Sequence, residues 1–216
     1  MQVLAVPVKS LERSKSRLAS VLTQAERAAL TLAMLKDVLA AALSQGDWAT
    51  WVVSADEPVL EVAARAGARP VAEQGRSLLA AVRQVEREVR GRGSRLAVLL
   101  GDLPFATPAA LAQALERPAA VVAVPAHSDG GTNLLLRRPP GVIPARFGRA
   151  SFAKHRWAAR RVRVAFEQLD SEELAFDLDR PADLDALVAS DRPCRTRQVC
   201  QELDLPARLR ANAGGA

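Results

Sequence analysis

The chain has 216 residues, 49% of them hydrophobic, with a formal net charge of +6 and only two cysteines, Cys194 and Cys200. That length and apolar content suit one sizeable folded domain and exclude a disordered or fibrous chain. Two thiols with no histidine beside them offer neither a disulfide framework nor a zinc site, so free reduced cysteines are expected. With no leader pattern and no apolar stretch of roughly 18 residues, the expectation is a cytoplasmic protein with no membrane span.

The first element is an apolar run, Val3 to Val8, broken at Pro7 and followed at once by Lys9, Arg13, Lys15 and Arg17. A buried strand therefore delivers positive charge to its carboxyl end, where anions bind in an open α/β sheet. The same cations could instead be the solvated face of an ordinary first helix. The loop has no glycine, so neither a dinucleotide fingerprint nor a Walker loop is present, and any phosphate must be met by side chains and helix-start amides.

Thr23 and Glu26 have capping-box spacing, and Leu30, Met34, Val38 with Leu35 and Leu39 mark a helix face ending near Gly46. Ala49–Ser54 reads as a buried strand, Pro58 to Gly67 as a short helix, and Arg69–Ala72 as a brief strand. Gly75 to Gly91 is helical by its spacing. Leu96–Leu100 is the most apolar strand and suits the middle of a parallel sheet. Thr107 and Pro108 start another helix, and Ala120–Val124 gives a further strand.

This alternation predicts a doubly wound α/β domain over about the first 125 residues. Beyond it lie a turn-rich SDGGTN, a short apolar NLLL, a Pro139-Pro140 break and a helix from Ser151 through Arg160. Strands at Val162–Phe166 and Leu174–Phe176 and a helix from Pro181 to about Val188 complete the pattern. A single domain over 1–205 with a frayed, disordered tail over 206–216 is expected.

Three carboxylates stand where chemistry could use them. Asp102 follows a buried strand immediately, and Asp177 and Asp179 lie one residue apart in what reads as an extended segment, on one face. Together they would suit Mg²⁺, a hard ion that takes oxygen ligands and keeps substrate phosphates in its shell. The competing role for Asp177 and Asp179 is helix capping ahead of Pro181.

Asp129-Gly130-Gly131-Thr132-Asn133 reads as a turn whose amides can approach a ligand, and Gly148 and Ser151 flank a helix start that favours an anion. Singly, these are plain turns and caps; together they would form a second phosphate pocket. His127 and His155 make no metal pattern; His155, one turn after Ser151, could face the same pocket, although a surface helical position is the stronger expectation.

Taken in order, Val6-Pro7-Val8-Lys9 with Lys15-Ser16-Arg17-Leu18, Met34-Leu35-Lys36-Asp37-Val38, Gly101-Asp102-Leu103-Pro104, Asp129 to Asn133, Phe147-Gly148 with Ser151-Phe152 and His155, and Asp177-Leu178-Asp179 resemble the CofC/FbiD guanylyltransferases of coenzyme F-420 biosynthesis. The similarity spans roughly residues 2 to 190. It implies a Rossmann-like nucleotidyltransferase fold of the nucleotide-diphospho-sugar transferase type, with a mostly parallel central sheet and helices on both faces. It further implies transfer of GMP from GTP to phosphoenolpyruvate or 2-phospho-L-lactate with release of pyrophosphate, the product passing to the next transferase of that biosynthesis.

By the same resemblance Lys9, Lys15 and Arg17 meet the nucleotide phosphates, Asp102, Asp177 and Asp179 bind the metal, and Thr132, Gly148 and Ser151 contact the acceptor phosphate. One departure stands out: Gly75-Arg76-Ser77 replaces the Gly-Leu-Asn usual after the third strand, leaving the nucleoside contact there open.

The chemistry agrees with that reading. A phosphomonoester is already an anionic nucleophile at neutral pH, so no catalytic His or Cys is required. Two rivals stay in view. Another Mg-dependent nucleotidyltransferase or an Asp-x-Asp glycosyltransferase would share the fold, although a glycosyltransferase has no use for a second phosphate pocket. A basic nucleic-acid-binding protein would explain the net charge, but aromatics are 4% and tyrosine is absent, so no stacking platform and no specific nucleic acid are expected.

Overall fold

The computed structural model describes residues 1–75, 77–91 and 94–213, with the side chains of 210–213 outside the described set. Strand β1 (Gln2–Pro7) leads into two 3-10 turns, Leu11–Arg13 and Ser16–Leu18, and then α1 (Gln24–Leu43). The basic segment is thus neither a full helix nor a free loop. Next come β2 (Trp48–Ser54), α2 (Glu57–Ala66), β3 (Arg69–Ala72) and α3 (Leu78–Val89). The central run continues with β4 (Arg95–Leu99), α4 (Pro108–Glu116), β5 (Val121–Pro125) and β6 (Thr132–Arg137). The C-terminal third holds α5 (Ser151–Arg161), β7 (Phe166–Gln168), the single turn α6 (Glu172–Ala175), α7 (Pro181–Ala189), α8 (Arg195–Glu202) and α9 (Leu205–Ala213).

The strands form one sheet in the order β3-β2-β1-β4-β6-β5-β7. Pairings are parallel from β3 through β4, while β6 runs antiparallel to both β4 and β5. Leu96–Leu99 is central as its apolar run requires, but only one of its neighbours is parallel. The order reverses between β1 and β4, the topological switch point where α/β sheets of this kind place ligands.

Helices cover both faces. One core joins β-strand residues such as Leu4, Val6 and Leu99 to Leu35 and Val38 of α1 and Leu111 of α4. The opposite face packs Val85 and Val89 of α3 and Ala158 and Ala159 of α5. A third cluster, Leu18, Leu22, Leu30, Met34, Phe105, Leu178, Leu184 and Leu187, joins the basic segment to the C-terminal helices.

Several expectations are corrected. The strand expected at Val162–Phe166 is displaced to β7, because α5 runs to Arg161 and the Val164 N–H turns back to the Ala159 carbonyl. Leu174–Phe176 is not a strand: the Ser171 side chain accepts from the Leu174 N–H and caps a helical turn there. The glycine turn ends at Gly131, and Thr132 and Asn133 belong to β6.

The tail expected to fray from 206 forms α9 through Ala213, anchored by buried Leu205 and by Arg208, which pairs with Glu26. Residues 214–216 lie outside the described residues. Helix α8 was not anticipated; its N-terminal amides at Arg195 and Thr196 donate to the buried carboxylate of Asp37, at 2.8 and 2.9 Å.

Both cysteines are free. Burial pushes the Cys200 thiol up to about 12, and Cys194 Sγ caps α8 by accepting from the Arg197 N–H. Among the described residues no helix is long and apolar enough to cross a membrane.

Candidate active site

Beyond β1 the chain is held close to the sheet. The Leu11 N–H donates to Asp56 Oδ2 at 2.6 Å, fixing the basic segment to the end of β2. Leu18 is fully buried and pins its other end. Between them Lys15 takes a left-handed backbone, φ 51°, uncommon for a residue with a Cβ. Beneath it the Thr31 hydroxyl contacts Ser14 Oγ at 2.9 Å, and Ser14 donates to the Leu11 carbonyl. Gly101 follows β4 where a Cβ would meet Val8 Cγ2 at 2.9 Å, so the β1 and β4 exits can lie side by side.

This folding carries the Lys15 ammonium between two carboxylates, 2.7 Å from Asp102 Oδ2 and 2.8 Å from Asp179 Oδ1. Burial acts to lower the Lys15 pKa, but the two carboxylates outweigh it and raise the value. Asp179 responds in the opposite sense: burial would raise its pKa, and Lys15, Arg17 and Lys9 together pull it below the ordinary value. Arg17 lies 3.5 Å from Asp179, and exposed Lys9 stands on the rim of the same pocket. The pocket, about 270 Å³, is lined by Lys9, Arg13, Lys15, Arg17, Asp102 and Asp179 among others.

Asp177 and Asp179 reach the site because Leu178 between them is fully buried with Leu18, which turns both carboxylates the other way. The Leu178 N–H also donates to the Asp102 carbonyl at 3.2 Å. Neither aspartate is the cap of α7: its N-cap is Arg180, and Asp183 in the first turn reaches back to accept from the N–H groups of Asp179 and Arg180 at 2.9 and 2.7 Å. Burial, with Asp102 and Asp179 nearby, pushes the Asp177 carboxyl up to about 6 against a weak bond from Asn133.

As placed, no three His, Cys, Asp or Glu side chains among the described residues close round a single metal ion, because Asp102 and Asp179 are drawn onto Lys15. The donor set nevertheless has the chemistry of a hard-cation site. It is all carboxylate oxygen, burial and the neighbouring Asp102 and Asp179 raise the proton affinity of Asp177, and Asp102 Oδ1 is buried with no hydrogen-bond partner.

The residues expected at the acceptor end also converge, in a way their spacing did not reveal. The register of β5 on β6 passes from Val124↔Leu134 to Pro125↔Thr132, leaving Asn133 as an extra residue. Such a bulge re-aims side chains. Asn133 donates to the Leu174 and Ala175 carbonyls at 3.0 and 2.9 Å and lies 3.4 Å from Asp177 Oδ1. Thr132 turns toward α5, where its hydroxyl meets Ser151 Oγ at 3.0 Å and His155 Nδ1 at 3.1 Å.

His155 is fully buried, contrary to the surface position expected of it. Thr132 and Ser151 are almost wholly covered as well, and the Gly148 carbonyl accepts from the Ser151 N–H. The second cluster is therefore assembled but closed.

Asn133, Asp56, Ser14 and Thr31 are the site residues that sequence reasoning did not assign a role. Asn133 stood inside a motif already singled out, and only the bulge separates its task from that of Thr132. At the position where the resemblance leaves the nucleoside contact open, Ser77 caps α3 and Leu78 lines the pocket, while Arg76 lies outside the described residues.

A mostly parallel sheet whose switch point gathers a cluster of cations and three carboxylates has the architecture of a nucleotidyltransferase-type α/β enzyme. A solved structure from Desulfovibrio desulfuricans G20, titled as a nucleotide-diphospho-sugar transferase, superimposes with a TM-score of 0.78 over 98% of both chains at 22% identity, a likeness of fold. Residues 1–212 match the family described as "Guanylyl transferase CofC like", and the chain belongs to that family.

The phosphoenolpyruvate guanylyltransferase of Rubrobacter xylanophilus is 44% identical, over 88% of this chain and 95% of that protein. The 2-phospho-L-lactate guanylyltransferase of Methanothermobacter thermautotrophicus is 32% identical, over 92% and 89%.

Proposed function

We propose that the protein transfers GMP from GTP to the phosphate of phosphoenolpyruvate or 2-phospho-L-lactate, releasing pyrophosphate, as a step of coenzyme F-420 biosynthesis. The observation that carries this reading is the Lys15 ammonium bridging Asp102 and Asp179, because it makes the N-terminal cations and the C-terminal carboxylates one site. The names of the relatives supply the nucleotide and the acceptor class.

In this reaction an acceptor phosphate oxygen forms a bond to the α-phosphorus of GTP. The bond from that phosphorus to its bridging oxygen breaks, and pyrophosphate leaves with the electron pair. The nucleophile is already ionised, so the work is bringing two anions together in line and stabilising charge on the leaving group. Lys9, Lys15 and Arg17 neutralise the triphosphate. Asp102, Asp177 and Asp179 would hold Mg²⁺, which supplies further charge neutralisation across the phosphates. Thr132, Gly148 and Ser151 would seat the acceptor phosphate, and because the pair of hydroxyls is covered, seating it requires a local opening over them.

The direct test is pyrophosphate release with GTP against phosphoenolpyruvate, 2-phospho-L-lactate and 3-phosphoglycerate in turn. Turnover with at least one of them, dependent on GTP, is expected. Turnover only with CTP or UTP, or with no acceptor of the three, would overturn the assignment.

A further inference from the structure

His155 does work at the acceptor end that a buried packing residue would not need to do. Its Nε2 lies 2.9 Å from the backbone nitrogen of Arg146, a group that can only donate. Nε2 must therefore be the acceptor, and the ring proton is on Nδ1. That nitrogen faces Thr132 Oγ1 at 3.1 Å, so the imidazole donates into the threonine hydroxyl.

Thr132 and Ser151 bring two hydroxyl hydrogens, and the 3.0 Å contact between them uses one. Thr132 Oγ1 already receives the imidazole proton, so one hydroxyl hydrogen of the pair has no acceptor within the cluster. With the other tautomer, Nδ1 would take the threonine proton and the surplus would vanish.

The ring also joins three segments: β6 through Thr132, the 146–148 stretch through the Arg146 amide, and its own helix α5. Phe147 closes on its edge with ring centroids 5.6 Å apart. The charged groups facing it are Arg137, Arg146 and Lys154, all cations, which with burial keep the imidazole neutral.

We propose that His155 is a positioning residue for the acceptor. By fixing its own tautomer against the Arg146 amide it polarises the Thr132–Ser151 hydroxyl pair as a net donor, ready for an anionic oxygen of the acceptor. This rests on the reading of Thr132, Gly148 and Ser151 as the acceptor end.

Three variants and one spectrum test it. His155→Asn keeps a donor near Nδ1, His155→Gln keeps an acceptor near Nε2, and His155→Phe removes both with similar volume. For His155→Phe the KM for the acceptor should rise about tenfold or more, with the KM for GTP within about twofold of wild type. His155→Asn should retain more acceptor affinity than His155→Gln.

In the free wild-type protein, nitrogen-15 spectra of the imidazole, assigned with a His127→Asn control, should show Nδ1 protonated and Nε2 bare. An Nε2-protonated ring, or equal changes in both KM values, would overturn the proposal. If His155→Phe fails to fold, the Asn and Gln variants and the spectrum still decide it. A wild-type protein inactive with every acceptor would instead sink the guanylyltransferase reading, leaving the tautomer measurement intact.

Discussion

Lys15 is the residue on which both halves of the site depend. Held at φ 51°, its side chain is only 5% exposed, and its ammonium touches both Asp102 and Asp179. Replacing it with methionine keeps the length and removes the charge. Lys15→Met should lower kcat/KM for GTP-dependent pyrophosphate release by about 10³, as loss of one preorganised charge at a transferring phosphoryl group does. Steady-state kinetics at saturating acceptor would check it.

Asn133 acts through Asp177 and two buried carbonyls. Asn133→Ala should destabilise by about 2 kcal/mol in urea titration, since it takes the donor from the buried Leu174 carbonyl, while the Ala175 carbonyl keeps the His127 N–H.

His155 gives a prediction in pH. Burial first, and then Arg137, Arg146 and Lys154, push its pKa down to about 4 from an ordinary 6.5. The unfolded chain therefore binds the extra proton between those values, and stability falls as pH drops from 6.5 toward 4 and levels off below. The His155 contribution to that loss is about 3 kcal/mol across the window. The difference between wild-type and His155→Phe unfolding free energies, measured at pH 7 and pH 4.5, should narrow accordingly at the lower pH.

At the scale of elements, the C-terminal helices act as a buttress for Asp177 and Asp179 of the candidate site. The Asp177–Asp179 segment is anchored by Leu178 in the cluster shared with Leu18 and Met34, and α8 is tied to α1 through Asp37. Asp37→Ala should destabilise by about 2 kcal/mol and speed amide hydrogen exchange in α8 more than in β1 or β4, because two helix-start amides and the Thr196 hydroxyl lose their acceptor. The single bulge in β6 serves two elements at once, sending Asn133 toward α6 and Thr132 toward α5.

These elements also mark what could be read from sequence. The strand-helix alternation of the first half was legible from apolar runs and caps, and Thr23 with Glu26 forms the capping box their spacing announced. The polar segment 190–205 hid α8, whose stability comes from a carboxylate 158 residues away rather than from its own periodicity. Val162 and Val164 looked like a strand because an apolar alternation carries no information about where a preceding helix stops. His155 looked exposed because burial of a lone histidine depends on partners that only the folded sheet provides.

For the whole molecule, the gathering of Lys15, Arg17, Asp102 and Asp179 was legible as a set of residues, and the pairing of Lys15 with the carboxylates was not. A chain-reversal at the switch point joins residues 15 and 179, a contact no local pattern encodes. Part of the positive charge is local: Lys9, Arg13, Lys15 and Arg17 line the pocket that also holds Asp102 and Asp179. Were it a nucleic-acid surface instead, Asp102→Ala would leave function intact; the enzyme account requires that change to abolish pyrophosphate release.

Central to the account is a phosphate-to-phosphate transfer at one shared site, and phosphorus NMR of the purified protein with Mg²⁺, GTP and phosphoenolpyruvate tests it most directly. The acceptor phosphomonoester signal should disappear as two coupled diphosphate-diester signals and one equivalent of pyrophosphate grow in. GTP cleaved only to GDP and inorganic phosphate, with the acceptor signal unchanged, would contradict it.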